Sequence, residues 1–136
     1  MDECGSGLDI CVLGPTQMFA HGHAVDVPGR QQQALLVMFV LYRGRVLSSQ
    51  RLLEALWGPA PTASAATSLR VSVSKLRRAL SAASAQDALV TSPGGYSLEI
   101  ASLSTDVGRF EAAVDAARVT ASPRERLSVL DEALAL

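Results

Sequence analysis

At 136 residues, 49% apolar and 18% charged, the chain has the make-up of one ordinary globular domain plus a fragment of a second, which excludes a disordered chain. Two cysteines without C-x-x-C spacing, Cys4 and Cys11, speak against a zinc site or a disulfide scaffold, and the nine-residue apolar run at 34–42 is about half of what a bilayer requires. The net charge of −1 divides into +1 over residues 1–103 (eight Lys/Arg, seven Asp/Glu) and −2 over residues 104–136 (four against six), so attraction to a polyanion has to come from a local run of charge.

Residues 1–7 read as a polar, Gly-rich, frayed start with no signal-peptide pattern, so the expected location is the cytoplasm. LDICVL (8–13) alternates as a strand does, and Gly14 and Pro15 end it. Residues 17–20 and 24–27 read as two further strands around His21, Gly22 and His23. An H-x-H pair can bind metal, but it has no acidic or cysteine partner nearby; a hairpin turn with exposed histidines is expected, and no metal.

From Arg30 the period becomes helical. RQQQALLVMFVLY is a helix with Ala34, Leu35, Met38, Val40, Leu41 and Tyr42 expected almost wholly buried and Gly44 as its C-cap. Residues 45–47 form an extended connector. Ser48 or Ser49 then caps a helix over 50–57, with Leu52, Leu53, Leu56 and Trp57 inward, and a Gly/Pro loop runs from Gly58 to about Ser64.

The next stretch, TSLRVSVSKLRRAL (67–80), organises the rest. Leu69, Val73, Leu76 and Leu80 recur at spacings of four, three and four, which at about 100° per residue is one narrow helical stripe. Thr67, Val71, Ser74 and Arg78 fall on the opposite face, flanked by Arg70, Lys75 and Arg77. No Asp or Glu occurs anywhere from 55 to 86. A merely solvated face mixes signs to gain i,i+4 pairs; a face positive throughout suits a DNA groove, with cations for phosphates and small residues for close approach to base edges. Thr67, Val71 and Ser74 are the candidates for base contact, with Lys75 and Arg78 on phosphates and Arg70 and Arg77 in support. Ser72 and Lys75 also match S-x-x-K of penicillin-recognising enzymes. No S-D-N or K-T-G follows, and both residues are expected on an exposed side without an oxyanion hole, so no enzyme is expected.

A small-residue loop covers 82–88. LVT, SPGG and YSLEI then spell a β-hairpin whose turn, with Gly94 and Gly95, can lie beside a DNA backbone. Beyond Asp106 an Ala-rich helix over 107–121 aligns Phe110, Ala113, Val114 and Ala117. Ser122 and Pro123 break it, and a further helix from Arg124 carries Leu127, Leu130 and Leu134. One such helix pair cannot bury its own apolar face, so this segment reads as an incomplete helical repeat.

The expected fold class is α+β: N-terminal antiparallel strands, three helices and a hairpin wing, a winged helix-turn-helix over 1–103, then the incomplete helical segment over 104–136. Arg exceeds Lys eleven to one, the usage of a GC-rich bacterial genome. The motifs RQQQALLVMFVLYRGRVLSSQRLLEALWG, TSLRVSVSKLRRAL, LVTSPGGYSLEI and DVGRFEAAVDAAR, in that order, resemble the Streptomyces antibiotic regulatory protein family over residues 8–136. The resemblance implies an OmpR-like DNA-binding domain, its third helix in the major groove and its wing at the adjacent minor groove. It further implies the start of a TPR-like bacterial transcriptional activation domain at 104–136, and activation of secondary-metabolite genes. The implied partners are direct-repeat double-stranded DNA, RNA polymerase holoenzyme and, weakly or on DNA, a second copy; no cofactor and no membrane are implied. The rival reading is a helical protein-interaction module in which the basic helix is incidental.

Overall fold

The computed structural model describes residues 7–120 and 122–136; the first six residues of the expected frayed start over 1–7, Cys4 among them, and the expected helix end at Ala121 lie outside the described residues. Strands β1 (Leu8–Cys11), β2 (Gln17–Ala20) and β3 (His23–Val25) form an antiparallel meander, with Ile10 opposite Met18 and Met18 opposite Val25. Alternation along the strands sends Leu8, Ile10 and Met18 into the core. His21 and Gly22 both have positive φ, 51° and 82°, the two-residue hairpin turn that matches strand twist, and both histidines are exposed. Strand β1 stops short of the expected Leu13 because Val12 and Leu13 turn their N–H groups away from β2 toward the carboxylate of Asp106. Burial, then the carboxylates of Asp9 and Asp106, push the Cys11 thiol above its ordinary range, so it stays a neutral thiol.

Helix α1 (Arg30–Leu41) buries Gln32, Leu35, Leu36, Phe39 and Val40. This corrects the expected stripe. Leu35 and Val40 are buried as expected, but Ala34, Met38 and Tyr42 are only half-buried and Leu41 is 52% exposed. Residues 34–41 are apolar all round, so periodicity alone cannot select the inward face, and the packing partners select it instead. The C-cap is Tyr42; Gly44, two residues on, has φ 78° and donates its N–H to Leu98 O at 2.9 Å. Helix α2 (Ser49–Trp57) is capped by Ser48, whose Oγ accepts from Arg51 N at 3.0 Å. Leu52 is fully buried, whereas Leu53, Leu56 and Trp57 pack half-buried on the rim of the core.

Helix α3 (Ala63–Ala82) starts four residues earlier than expected, because the small residues after Pro61 enter the helix as soon as the prolines permit. It also takes in Ala82, and the chain turns at Ser84 with φ 56°. A 3-10 turn, Gln86–Ala88, leads into the hairpin β5 (Leu89–Ser92) and β6 (Gly95–Leu98). The expected connector after α1 contributes a third strand, β4 (Leu47–Ser48), which pairs with β6 so that the sheet order is β4-β6-β5. The shared core joins both sheets to α1, α2 and α3.

Helix α4 (Asp106–Val119) begins on the N-terminal sheet. Thr105 forms an isolated parallel bridge with Ile10 and caps α4, accepting from Gly108 N at 2.9 Å. Helix α5 (Pro123–Leu134) packs on α4. Of its expected inward leucines, Leu130 is half-buried, but Leu127 and Leu134 are 63% and 77% exposed; Ala133 is the buried residue. Among the described residues α5 lies mainly against α4, so it covers one narrow row and leaves much of its surface in solvent.

Candidate nucleic-acid interface

Helix α3 has two chemically distinct sides, and burial separates them. Leu69, Val73, Leu76 and Leu80 are buried, joined by Ala65, Ser72 and Ala79. Thr67, Arg70, Val71, Ser74, Lys75 and Arg78 are exposed, Val71 at 46%. The expected inner stripe and the expected outer face therefore coincide with the observed ones. A continuous solvent-facing surface of three cations, two hydroxyls and one branched apolar residue results, with no acid on the helix to neutralise it.

Ser72 departs from expectation. It lies on the inner side, buried, and its Oγ donates to Gln31 Oε1 of α1 at 3.1 Å, while Lys75 is exposed. The S-x-x-K match is thus a helix–helix contact, with the serine hydroxyl tying α3 to α1.

Arg77 also differs from its neighbours. Its guanidinium donates to Leu89 O at 2.9 and 3.3 Å and to Thr91 Oγ1 at 3.0 Å, so it holds β5 against α3. The hairpin turn is divided in the same way. Gly94 is exposed, with φ 80°, a suitable partner for Pro93 in a type II turn, and its carbonyl accepts from Ser49 N at 2.9 Å. Gly95 is buried; a Cβ there would run into the carbonyl of Leu47, so glycine at 95 lets β4 and β6 approach. Residues 89–98 contain no Lys or Arg, and whatever the wing offers a phosphate comes from backbone N–H and hydroxyl groups.

Sequence reasoning passed over the N-terminus of α1. Gly29, Arg30, Gln31 and Gln32 border the same cleft as Thr67, Val71 and Lys75. The one local signal was a helix start without an acid in its first turn or a side-chain cap. Arg51 of α2 was missed as well; it stacks 4.7 Å over the Tyr42 ring and donates to the Tyr42 hydroxyl at 3.2 Å.

A family model described as "Transcriptional regulatory protein, C terminal" matches residues 25–98, from the end of the first sheet to the end of the wing. The chain is 37% identical over 107 residues to the transcriptional regulatory protein EmbR of Mycobacterium tuberculosis, an alignment covering 77% of this chain and 28% of that one. It is 32% identical over 117 residues to the regulatory protein AfsR of Streptomyces coelicolor, covering 86% of this chain and 11% of the relative. Over 111 residues it is 32% identical to the regulatory protein DnrI of Streptomyces peucetius, covering 76% and 41%. A solved structure of Mycobacterium tuberculosis EmbR in complex with a low-affinity phosphopeptide superposes with a TM-score of 0.80 at 34% identity, over 95% of this chain and 34% of that one. The chain therefore spans well under half the length of these relatives. Among the described residues no helix is long and apolar enough to cross a membrane.

Proposed function

Because the chain belongs to the transcriptional regulatory protein C-terminal family, of OmpR type and among Streptomyces antibiotic regulatory proteins, we propose that it is a sequence-specific DNA-binding transcriptional activator of a secondary-metabolite gene cluster. The observation that carries this reading is the division of α3. Its apolar stripe is consumed by the core, and its remaining surface is a row of Thr67, Arg70, Val71, Ser74, Lys75 and Arg78 with no acid on the helix itself. In the major groove, Lys75, Arg78 and Arg70 meet phosphates, while Thr67, Val71 and Ser74 face base edges. Gly94 at the wing tip meets the neighbouring backbone. Arg77 and Gly95 serve the interface by fixing the wing on α3 and on β4.

The proposal extends to the organisation of the chain. Residues 1–103 are the DNA-binding domain, and 104–136 open a TPR-like activation domain that contacts RNA polymerase holoenzyme in the cytoplasm. A single recognition helix and wing bury a modest interface, about 600–1,000 Å² for single modules, so two copies on direct repeats about 10–10.5 bp apart supply useful discrimination.

The test is binding to duplexes selected from a random pool, measured across salt concentrations. Phosphate-driven binding falls steeply as salt rises, whereas an apolar helix-in-groove contact to protein hardly responds. Failure to enrich any sequence, or a flat salt response, favours the interaction-module reading. On an enriched two-repeat duplex, insertion of half a helical turn should remove the preference for the second copy. If spacing has no effect, the tandem arrangement is wrong.

A further inference from the structure

The N-terminus of α1 faces the exposed side of α3 across two adjoining clefts. One is bordered by Asp26, Gln32, Lys75 and Arg78, the other by Arg30, Gln32, Thr67 and Lys75. The first intrahelical bond of α1 runs from Gln33 N to Gly29 O at 3.1 Å, so the N–H groups of Arg30, Gln31 and Gln32 open the helix without intrahelical partners. The N-cap, Gly29, has no side chain to serve them, and no acid stands in the first turn.

The second observation is Gln32 itself. It is 6% exposed, and among the described residues its side-chain amide has no hydrogen-bond partner. Its Oε1 lies so close over Gly29 that a Cβ at that position would clash, and Gly29 escapes only as a glycine at φ 90°. Buried amides are nearly always paired, and an unpaired one beside open N–H groups and cations marks a place where a ligand completes the set.

We propose that this notch binds a phosphate of the DNA backbone, beyond the contacts made by the outer face of α3. The N–H groups of the first turn and the Gln32 amide donate to its oxygens, and Arg30 and Lys75 supply the charge. Asp26 borders only the first cleft, where its carboxylate repels an anion, so the phosphate lies in the second, between Arg30 and Lys75. Thr67 and Val71 line that same cleft, so a strand flanking the groove that holds α3 passes over it. The inference rests on the DNA-binding reading of α3.

Two substitutions at Gln32 together separate a ligand site from a structural position. The carboxylate of Gln32→Glu, at the third position, gains from the helix start but is desolvated at this buried place, so binding is compared only under conditions where the variant is folded. The same charge repels a phosphate, so affinity for a duplex selected by the natural chain should drop about tenfold or more. Gln32→Met keeps the volume and removes only the unpaired amide; at a ligand site it should weaken binding by a smaller factor without lowering the melting temperature, whereas at a merely structural position binding and melting temperature fall together. Phosphate-ethylation interference on that duplex should show a phosphate whose modification weakens the natural chain and leaves the Gln32→Glu variant no weaker. Variants that bind as tightly as the natural chain, with an unchanged interference pattern, overturn the notch while leaving the reading of α3 intact. If the natural chain selects no duplex at all, the reading of α3 has failed and the notch falls with it.

Discussion

Leu76 and Asp106 show how differently single residues hold this molecule. Leu76 is fully buried on the inner stripe of α3, and Leu76→Ala should cost about 2–5 kcal/mol, the usual penalty for an emptied core site. Trp57 shares that core only from its rim, half-buried at the end of α2, so Trp57→Ala should cost less than Leu76→Ala. Urea melts order the two; a neutral Leu76→Ala would mean that the inner face of α3 is wrongly assigned. Asp106 stabilises by another route. It is 2% exposed, and both its oxygens accept: from Val12 N at 3.0 Å, from Leu13 N at 2.9 Å and from Val107 N at 2.8 Å. In Asp106→Asn one acceptor oxygen becomes an NH₂ donor facing those N–H groups. The expected loss is about 1–3 kcal/mol, read as a lowered urea midpoint with an unchanged slope.

At the scale of elements, α3 and the hairpin share the proposed interface, and the cations of α3 are not equivalent. Lys75→Ala or Arg78→Ala should each lower the slope of log affinity against log salt by about 1 and weaken selected and random duplexes alike. Arg77→Ala should instead lower stability, because it strips two hydrogen-bond acceptors on β5 of their donor, and should change the salt slope less. A full unit of slope lost with Arg77 and none with Lys75 would reverse these roles. The outer and inner faces of α3 were legible in the sequence because both follow from one period over a single helix. The histidine turn and the Pro93–Gly94 turn were legible too, since short-range backbone chemistry determines them. Three features were not. Leu41 is exposed although its helix is apolar all round, β4 pairs with a strand nearly fifty residues away, and Gly95 is dictated by the carbonyl of Leu47. Each depends on a partner distant in sequence, which no local pattern encodes. Ser72 was misjudged because its neighbour on the inner side is a glutamine, so a polar residue there is satisfied although buried.

The whole molecule turns on how its last two helices join the rest. We place the division between the winged helix and the helical segment at residues 103 and 104, yet the first turn of α4 is built into the N-terminal sheet. Thr105 bridges Ile10, Asp106 closes the end of β1, Arg109 pairs with Asp9 at 2.7 Å, and Arg43 pairs with Glu111 at 2.6 Å. The two ion pairs are partly exposed, and pairs of that kind contribute little. The main attachment is therefore Asp106 with the buried Thr105. Helix α5 touches the rest mainly through α4 and presents Leu127 and Leu134 to solvent. Two shortened chains follow from this asymmetry. A chain ending at residue 103 leaves the N–H groups of Val12 and Leu13 without their acceptor. It should melt well below the full chain, by an amount comparable to Asp106→Asn or greater. A chain ending at residue 120 keeps every contact of the clamp and should melt close to the full chain; it loses the exposed leucines of α5 but uncovers Val114 and Ala117 of α4, so no fall in self-association is expected. Thermal melts of the three chains, with light scattering on the same samples, check both expectations. If the chain ending at 103 proves as stable as the one ending at 120, the clamp carries no stability and α4 belongs wholly to the second domain. If it is the less stable one, the winged helix needs the first turn of α4 to complete its fold, and the functional boundary lies inside that helix.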